Sequence, residues 1–215
     1  MIILTGIMAL VSSAISSLSA ALPAIGMALK AFVAKIPGPI LEKSLEKLLR
    51  LVGEVVSQIF QMGTPCDELG YKARVAEKKE ADFATTEAYV KYLNTEVPFD
   101  KGAFERLSPS EKMECALHGM ILYAKAIVEK IGIAVSPLFW IMNAALGIQP
   151  SVVVQTLLDL KQAGVSTDDY CAYFKGNCEP EKAQTVDLVV KKLFQTKENP
   201  SAILDMQEKV RELGI

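Results

Sequence analysis

A single histidine and four cysteines are all that 215 residues offer of the side chains that most readily bind transition metals or act as nucleophile and base. One histidine cannot furnish the two Glu-x-x-His pairs of a diiron carboxylate bundle. Gly6, Gly26 and Gly38 stand isolated, so no Gly-rich phosphate loop, dinucleotide fingerprint or Gly-x-Ser-x-Gly elbow occurs. An excess of positive charge is missing too. The 23 Lys and Arg are interspersed with 25 Asp and Glu, for a net charge of −2, so there is no basic stripe to follow a nucleic-acid backbone and no nucleic-acid partner is expected. With 51% hydrophobic and 22% charged residues the chain is not of the disordered class, and its composition is neither collagen-like nor disulfide-dense.

Charge is also absent over two long stretches. Met1 to Leu29 has no charged side chain before Lys30, and Ile131 to Leu158 has none before Asp159. These runs account for the mean hydropathy of +0.27. Each exceeds the roughly 20 apolar residues that cross a bilayer, which keeps a membrane role open. Thr5, the five serines between Ser12 and Ser19, and Pro23 in the first run dilute that signal, as do Ser136-Pro137, Asn143 and Gln149-Pro150 in the second. A secretory leader is disfavoured, because no Lys or Arg precedes the apolar part and that part runs on too far. The sequence does not fix a compartment.

Periodicity gives the first run a shape. Val11, Ile15, Leu18, Leu22, Ile25 and Leu29 are spaced 4, 3, 4, 3, 4, one helical seam at heptad spacing. Beside it Thr5, Ala9, Ser12, Ser16 and Ser19 form a small-residue face of the kind that lets helix backbones approach closely. Pro23 predicts a kink. After the breaker Ile36-Pro37-Gly38-Pro39 the spacing repeats in Leu41, Leu45, Leu48, Val52, Val55 and Ile59, now with Glu42, Lys43, Glu46, Lys47, Arg50 and Glu54 on the outer face. Two such helices and a Pro-Gly-Pro turn predict an antiparallel αα-hairpin over residues 1–62, and residues 63–215 a second unit. The plainer alternative is that both stripes face one globular core.

The rest of the chain is punctuated for helices. Thr64-Pro65 is expected to cap a helix that continues through the polar run Glu77 to Asp82 toward Pro98. Ser108-Pro109-Ser110-Glu111 is a capping box with Pro at the first helical position, and the helix it opens should run to Gly132. Ser136-Pro137, Gln149-Pro150 and Asn199-Pro200 precede further helical patterns, at 138–148, 152–162 and 201–213, with another at 181–196. Residues 152–175 have the outline of a helix-turn-helix around Gly164, but its second helix opens with Asp168 and Asp169, the wrong sign for phosphates. No strand pattern of useful length appears. The expected fold is all-α: an N-terminal hydrophobic hairpin followed by a multi-helix bundle of five to seven helices.

Chemistry is harder to find. Cys115 and His118 share a helix face, yet no third group orients the imidazole. Adding Cys171 and Cys178 makes a formal Cys3His set whose spacing lacks the tight knuckle of a zinc site. Cys171 and Cys178 are alternatively a disulfide closed across Gly176-Asn177, or two reduced thiols. No catalytic residue, metal or cofactor is assigned on these grounds. The surplus is apolar surface. The residues expected to meet a partner or a bilayer are the two seams, Val11 to Leu29 and Leu41 to Ile59, with Ser12, Ser16 and Ser19. The leading expectation is a non-enzymatic subunit that assembles with itself or with a partner protein. The alternatives are a membrane-inserting protein of pore-forming or lysis type, and a lipid-binding module or enzyme with a pocket between residues 138–148 and the hairpin.

Overall fold

The computed structural model describes residues 38–61, 63–194 and 201–212, with side chains from residue 45 onward. These residues fold as an all-α multi-helix bundle. Ten α-helices occur among them and no strand: α1 (Gly38–Phe60), α2 (Cys66–Val75), α3 (Thr86–Thr95), α4 (Lys101–Glu105), α5 (Pro109–Ile131), α6 (Pro137–Leu146), α7 (Pro150–Ala163), α8 (Thr167–Lys175), α9 (Pro180–Leu193) and α10 (Ala202–Glu212). The seam Val11, Ile15, Leu18, Leu22, Ile25 and Leu29, with Ser12, Ser16 and Ser19, lies outside the described residues.

Helix boundaries follow the local chemistry of the chain. At α5 the Ser108 hydroxyl accepts from the Glu111 N–H at 3.3 Å, and the Glu111 carboxylate accepts from the Ser108 N–H at 3.0 Å, so two otherwise orphaned donors are satisfied reciprocally. Ser136 caps α6 through the Phe139 N–H, and Ser166 with Asp169 makes a second capping box at α8. Gly132, Gly147, Gly164 and Gly176 end α5, α6, α7 and α8 with φ of 69–74°, left-handed geometry that a Cβ would oppose. The second uncharged run is thereby cut into the end of α5, all of α6 and the first part of α7. None of the described helices is long and apolar enough to cross a membrane.

Three expectations are corrected. Thr64 does not cap α2, whose N-cap position is Pro65 with no side-chain hydrogen bond. The Thr64 carbonyl instead accepts from the hydroxyl of buried Tyr123 at 2.7 Å. The helix begun there stops at Val75 and does not continue through the polar run. Lys79 Nζ donates to the Ala76 carbonyl, Asp82 accepts from the Lys79 N–H, and Glu80 is drawn to Lys125, so side chains satisfy the backbone outside a helix and only a short 3-10 turn forms at Glu80–Asp82. A fresh cap at Thr85 then starts α3. The third correction is the helix count. Nine described helices follow α1, because of this split and because Asp100 caps the five-residue α4 that the sequence pattern did not reveal.

Packing makes α1 the spine. It contacts α5, α6 and α7, while α5 packs on α2 and α3, and α8 on α6, α9 and α10. Leu45, Leu48, Val52 and Val55 are buried and Ile59 is half-buried, all in the one apolar core that continues through Leu117, Phe139, Leu157 and Tyr170 to Val210. Leu41 lies on α1, its side chain outside the described set. The closest approach is between α2 and α5: a Cβ on Gly70 would overlap the Cys115 carbonyl, and one on Gly119 the Cys66 carbonyl. Two glycines placed reciprocally let these backbones touch.

Candidate functional site

Because α1 is wedged between helices of two groups, cavities open on both its flanks. On one side a groove of about 740 Å³ runs past Leu49, Gly53 and Ser57 of α1, the start of α2, Phe104 of α4, and Met113 and Ala116 of α5. On the other, a pocket of about 450 Å³ lies between α1, α5 and α6, its apolar lining including Leu48, Val52, Ile121, Ala124, Trp140 and Ile141. The polar residues that line it are Glu80, Thr86, Lys125 and Glu129. Both volumes fall within the roughly 300–1,000 Å³ common for ligand sites.

These four residues form a hydrogen-bonded cluster built from three separate segments. Lys125 Nζ on α5 lies 3.0 Å from each carboxylate oxygen of Glu80. Thr86 Oγ1 is 2.7 Å from Glu129 Oε1 and 2.9 Å from Glu80 Oε1. Glu129 also accepts from the N–H groups of Thr86 and Glu87, tying the start of α3 to α5. Its carboxyl is held below the ordinary value by these hydrogen bonds and by Lys125, against the opposing effect of desolvation. Sequence reasoning expected a pocket between residues 138–148 and the N-terminal hairpin, and it passed over Glu80, Thr86, Lys125 and Glu129. Nothing in local spacing relates positions 43 residues apart, such as Thr86 and Glu129.

The sequence-nominated chemical groups are dispersed. Cys115 faces α2, and burial pushes its thiol up, away from the thiolate a nucleophile needs. His118, one turn on, faces Glu80, Lys125 and Lys79, and desolvation lowers its pKa. Cys66 and Cys171 are buried, and desolvation raises each thiol to about 12. Cys171 and Cys178 are not bonded to each other, and all four cysteines are free thiols. No group of three or more His, Cys, Asp or Glu among the described residues is arranged to hold a metal ion. In α8, the would-be recognition helix, Tyr170, Cys171 and Phe174 are buried, and the helix packs on α6, α9 and α10.

The fold and these cavities define an all-helical bundle organised around one central helix. No family model, curated protein or solved structure matches the chain.

Proposed function

We propose that the protein is a non-enzymatic helical assembly subunit that uses its uncharged N-terminal segment to associate with copies of itself or with a partner protein. The observation that carries this reading is the commitment of the α1 seam to the bundle's own core. In a free-standing hairpin the seam from Val11 to Leu29 would pack against Leu45, Leu48, Val52 and Val55. Those side chains are already buried against α5, α6 and α7. An apolar seam with a small-residue face beside it has the pattern that packs closely on another helix, and the reading assigns that helix to a second copy or a partner. The interface assignment narrows accordingly to the residues before α1, with Ser12, Ser16 and Ser19 at the close contact.

Light scattering coupled to size-exclusion chromatography tests the reading on the full chain beside a chain beginning at Pro37, which retains all of α1. The expected result is a discrete, concentration-dependent oligomer for the full chain and a monomer for the shorter one. A full chain that stays monomeric across the concentration range overturns it. The 29-residue uncharged run also suits the membrane-inserting alternative. That alternative takes over if the full chain needs detergent while the shorter chain does not, and liposome leakage then measures it.

A further inference from the structure

We infer that residues 77–87, from the end of α2 into the first turn of α3, are a strap latched across α5 by polar links, and that releasing the latch opens the pocket between α1, α5 and α6 while the bundle beneath stays folded. The strap and the pocket lie wholly among described residues, so the inference holds whether or not the chain assembles. The first observation is how little apolar surface ties the strap down. Ala76 before it and Tyr89 after it are buried, but between Glu77 and Thr85 only Glu80 and Phe83 are half-buried and the rest are exposed. Phe83 rests on Tyr89 and Tyr92 of α3, at 5.3 and 5.1 Å between ring centres, and Lys78 lies over the Tyr92 ring at 5.4 Å. These contacts join the strap to its own continuation and not to α5.

Its hold on α5 is polar. Lys125 Nζ lies 3.0 Å from both oxygens of Glu80, and Lys130 Nζ 3.0 Å from Glu87 Oε1. Between them Glu129 accepts from the Thr86 hydroxyl at 2.7 Å and from the Thr86 and Glu87 N–H groups at 3.1 and 3.2 Å. The Lys125 and Glu80 side chains remain 33% and 30% exposed, and those of Lys130 and Glu87 49% and 39%, so water can replace either partner when a link breaks. Other bonds travel with the strap: Asp82 accepts from the Lys79 N–H, and Lys79 Nζ donates to the Ala76 carbonyl. A segment with few buried apolar contacts and exposed hydrogen bonds opens at a fraction of the global unfolding free energy. Glu80 and Thr86 are the strap's share of the pocket lining, and the apolar lining comes from α1, α5, α6 and the residues just before α6. Lifting the strap therefore removes one wall and uncovers the space lined by Trp140, a side chain 5% exposed when the latch is closed.

Hydrogen exchange read by mass spectrometry on the full chain follows the strap, and acrylamide quenching of Trp140, the only tryptophan, follows the pocket. In the unmodified chain the N–H groups of Lys79, Asp82, Thr86 and Glu87 should exchange about tenfold or more faster than those from Leu117 to Ile127 of α5. Lys125→Met keeps the aliphatic stem and removes the ammonium. It should speed the strap by about a further tenfold, leave α5 unchanged, and raise the Trp140 quenching constant about twofold. The inference is overturned if the strap exchanges in step with α5 in the unmodified chain, if Lys125→Met accelerates both equally, or if a faster strap leaves Trp140 quenching unaltered. Should Lys125→Met not fold, Glu129→Gln is judged by the same outcomes.

Discussion

Asn143 and Tyr170 are polar side chains at the centre of an apolar core, and they make each other tolerable there. Asn143 Nδ2 donates to the Phe139 carbonyl at 2.8 Å, and the Tyr170 hydroxyl donates to Asn143 Oδ1 at 3.2 Å. Tyr170→Phe keeps the ring packing on Phe139 and Phe174 but removes that donor, leaving a buried acceptor without it. The expected loss is about 1–3 kcal/mol, read as a lower urea midpoint with an unchanged denaturant slope. Acid sensitivity is a second property of single residues. The Ser108 N–H and hydroxyl, and then Arg74, hold the Glu111 carboxyl down from 4.5 to about 2. Its contribution is therefore complete above pH 4.5 and disappears as pH falls toward 2. His118 acts in the same direction, because desolvation favours its neutral ring and protonation below pH 6.5 opposes the fold. Urea stability measured against pH should decline on the acid side, and Glu111→Gln should flatten the part of that decline below pH 4.5.

At the scale of helices, the crossing of α2 over α5 sets opposite expectations for glycines in similar helical settings. Replacing a helix-interior glycine by alanine ordinarily gains roughly 1 kcal/mol of propensity. At Gly119 the added methyl would collide with the Cys66 carbonyl, a backbone group that cannot swing aside. Overpacking costs of about 1–3 kcal/mol then outweigh the propensity gain. At Gly53 of α1 the new Cβ would meet only Cys66 Sγ, at 4.0 Å. Gly119→Ala should therefore lower the thermal midpoint and Gly53→Ala should hold or raise it, and equal effects at the two sites would contradict the close crossing. The start of α5 depends on its cap in a comparable way. Ser108→Ala should cost about 1 kcal/mol in chemical denaturation.

For the molecule as a whole, the distinction between core and association surface is the one that mutation resolves most cleanly. Leu48 is 3% exposed, wedged by α1 into the shared core. Leu48→Glu buries a carboxylate there without a designed partner, so circular dichroism should report unfolding or a cooperative transition shifted to much lower temperature. Ser16→Glu places a charge in the uncharged N-terminal run. Under the assembly proposal it leaves the helical signal and thermal transition of the bundle intact while reducing the oligomer seen by light scattering. Loss of assembly without loss of fold separates the two segments, and unfolding by Ser16→Glu would argue that they act as one.

Much of the architecture is written locally. The capping box at Ser108, the Ser-Pro start of α6, the glycine stops at positions 132, 147, 164 and 176, and the heptad spacing of α1 are short-range features, and each helix they predict is present. Where the sequence misled, a side chain found a partner outside its own segment or loop. Glu80 turned to Lys125 and Thr86, and the Thr64 carbonyl received the Tyr123 hydroxyl, so the polar run after Val75 left the helix. The candidate pocket was the least legible part. Val52, Thr86, Lys125 and Trp140 come from different segments, and no periodicity links them. The sequence by itself determined that the chain would be helical, where most helices begin and end, and which face of α1 is apolar, because caps, turns and stripes depend on neighbours within a few residues. Only the tertiary structure decided that this face serves the core, that Gly70 and Gly119 bring two backbones into contact, and that two glutamates converge on one threonine. Those outcomes depend on how helices far apart in sequence come to lie against each other.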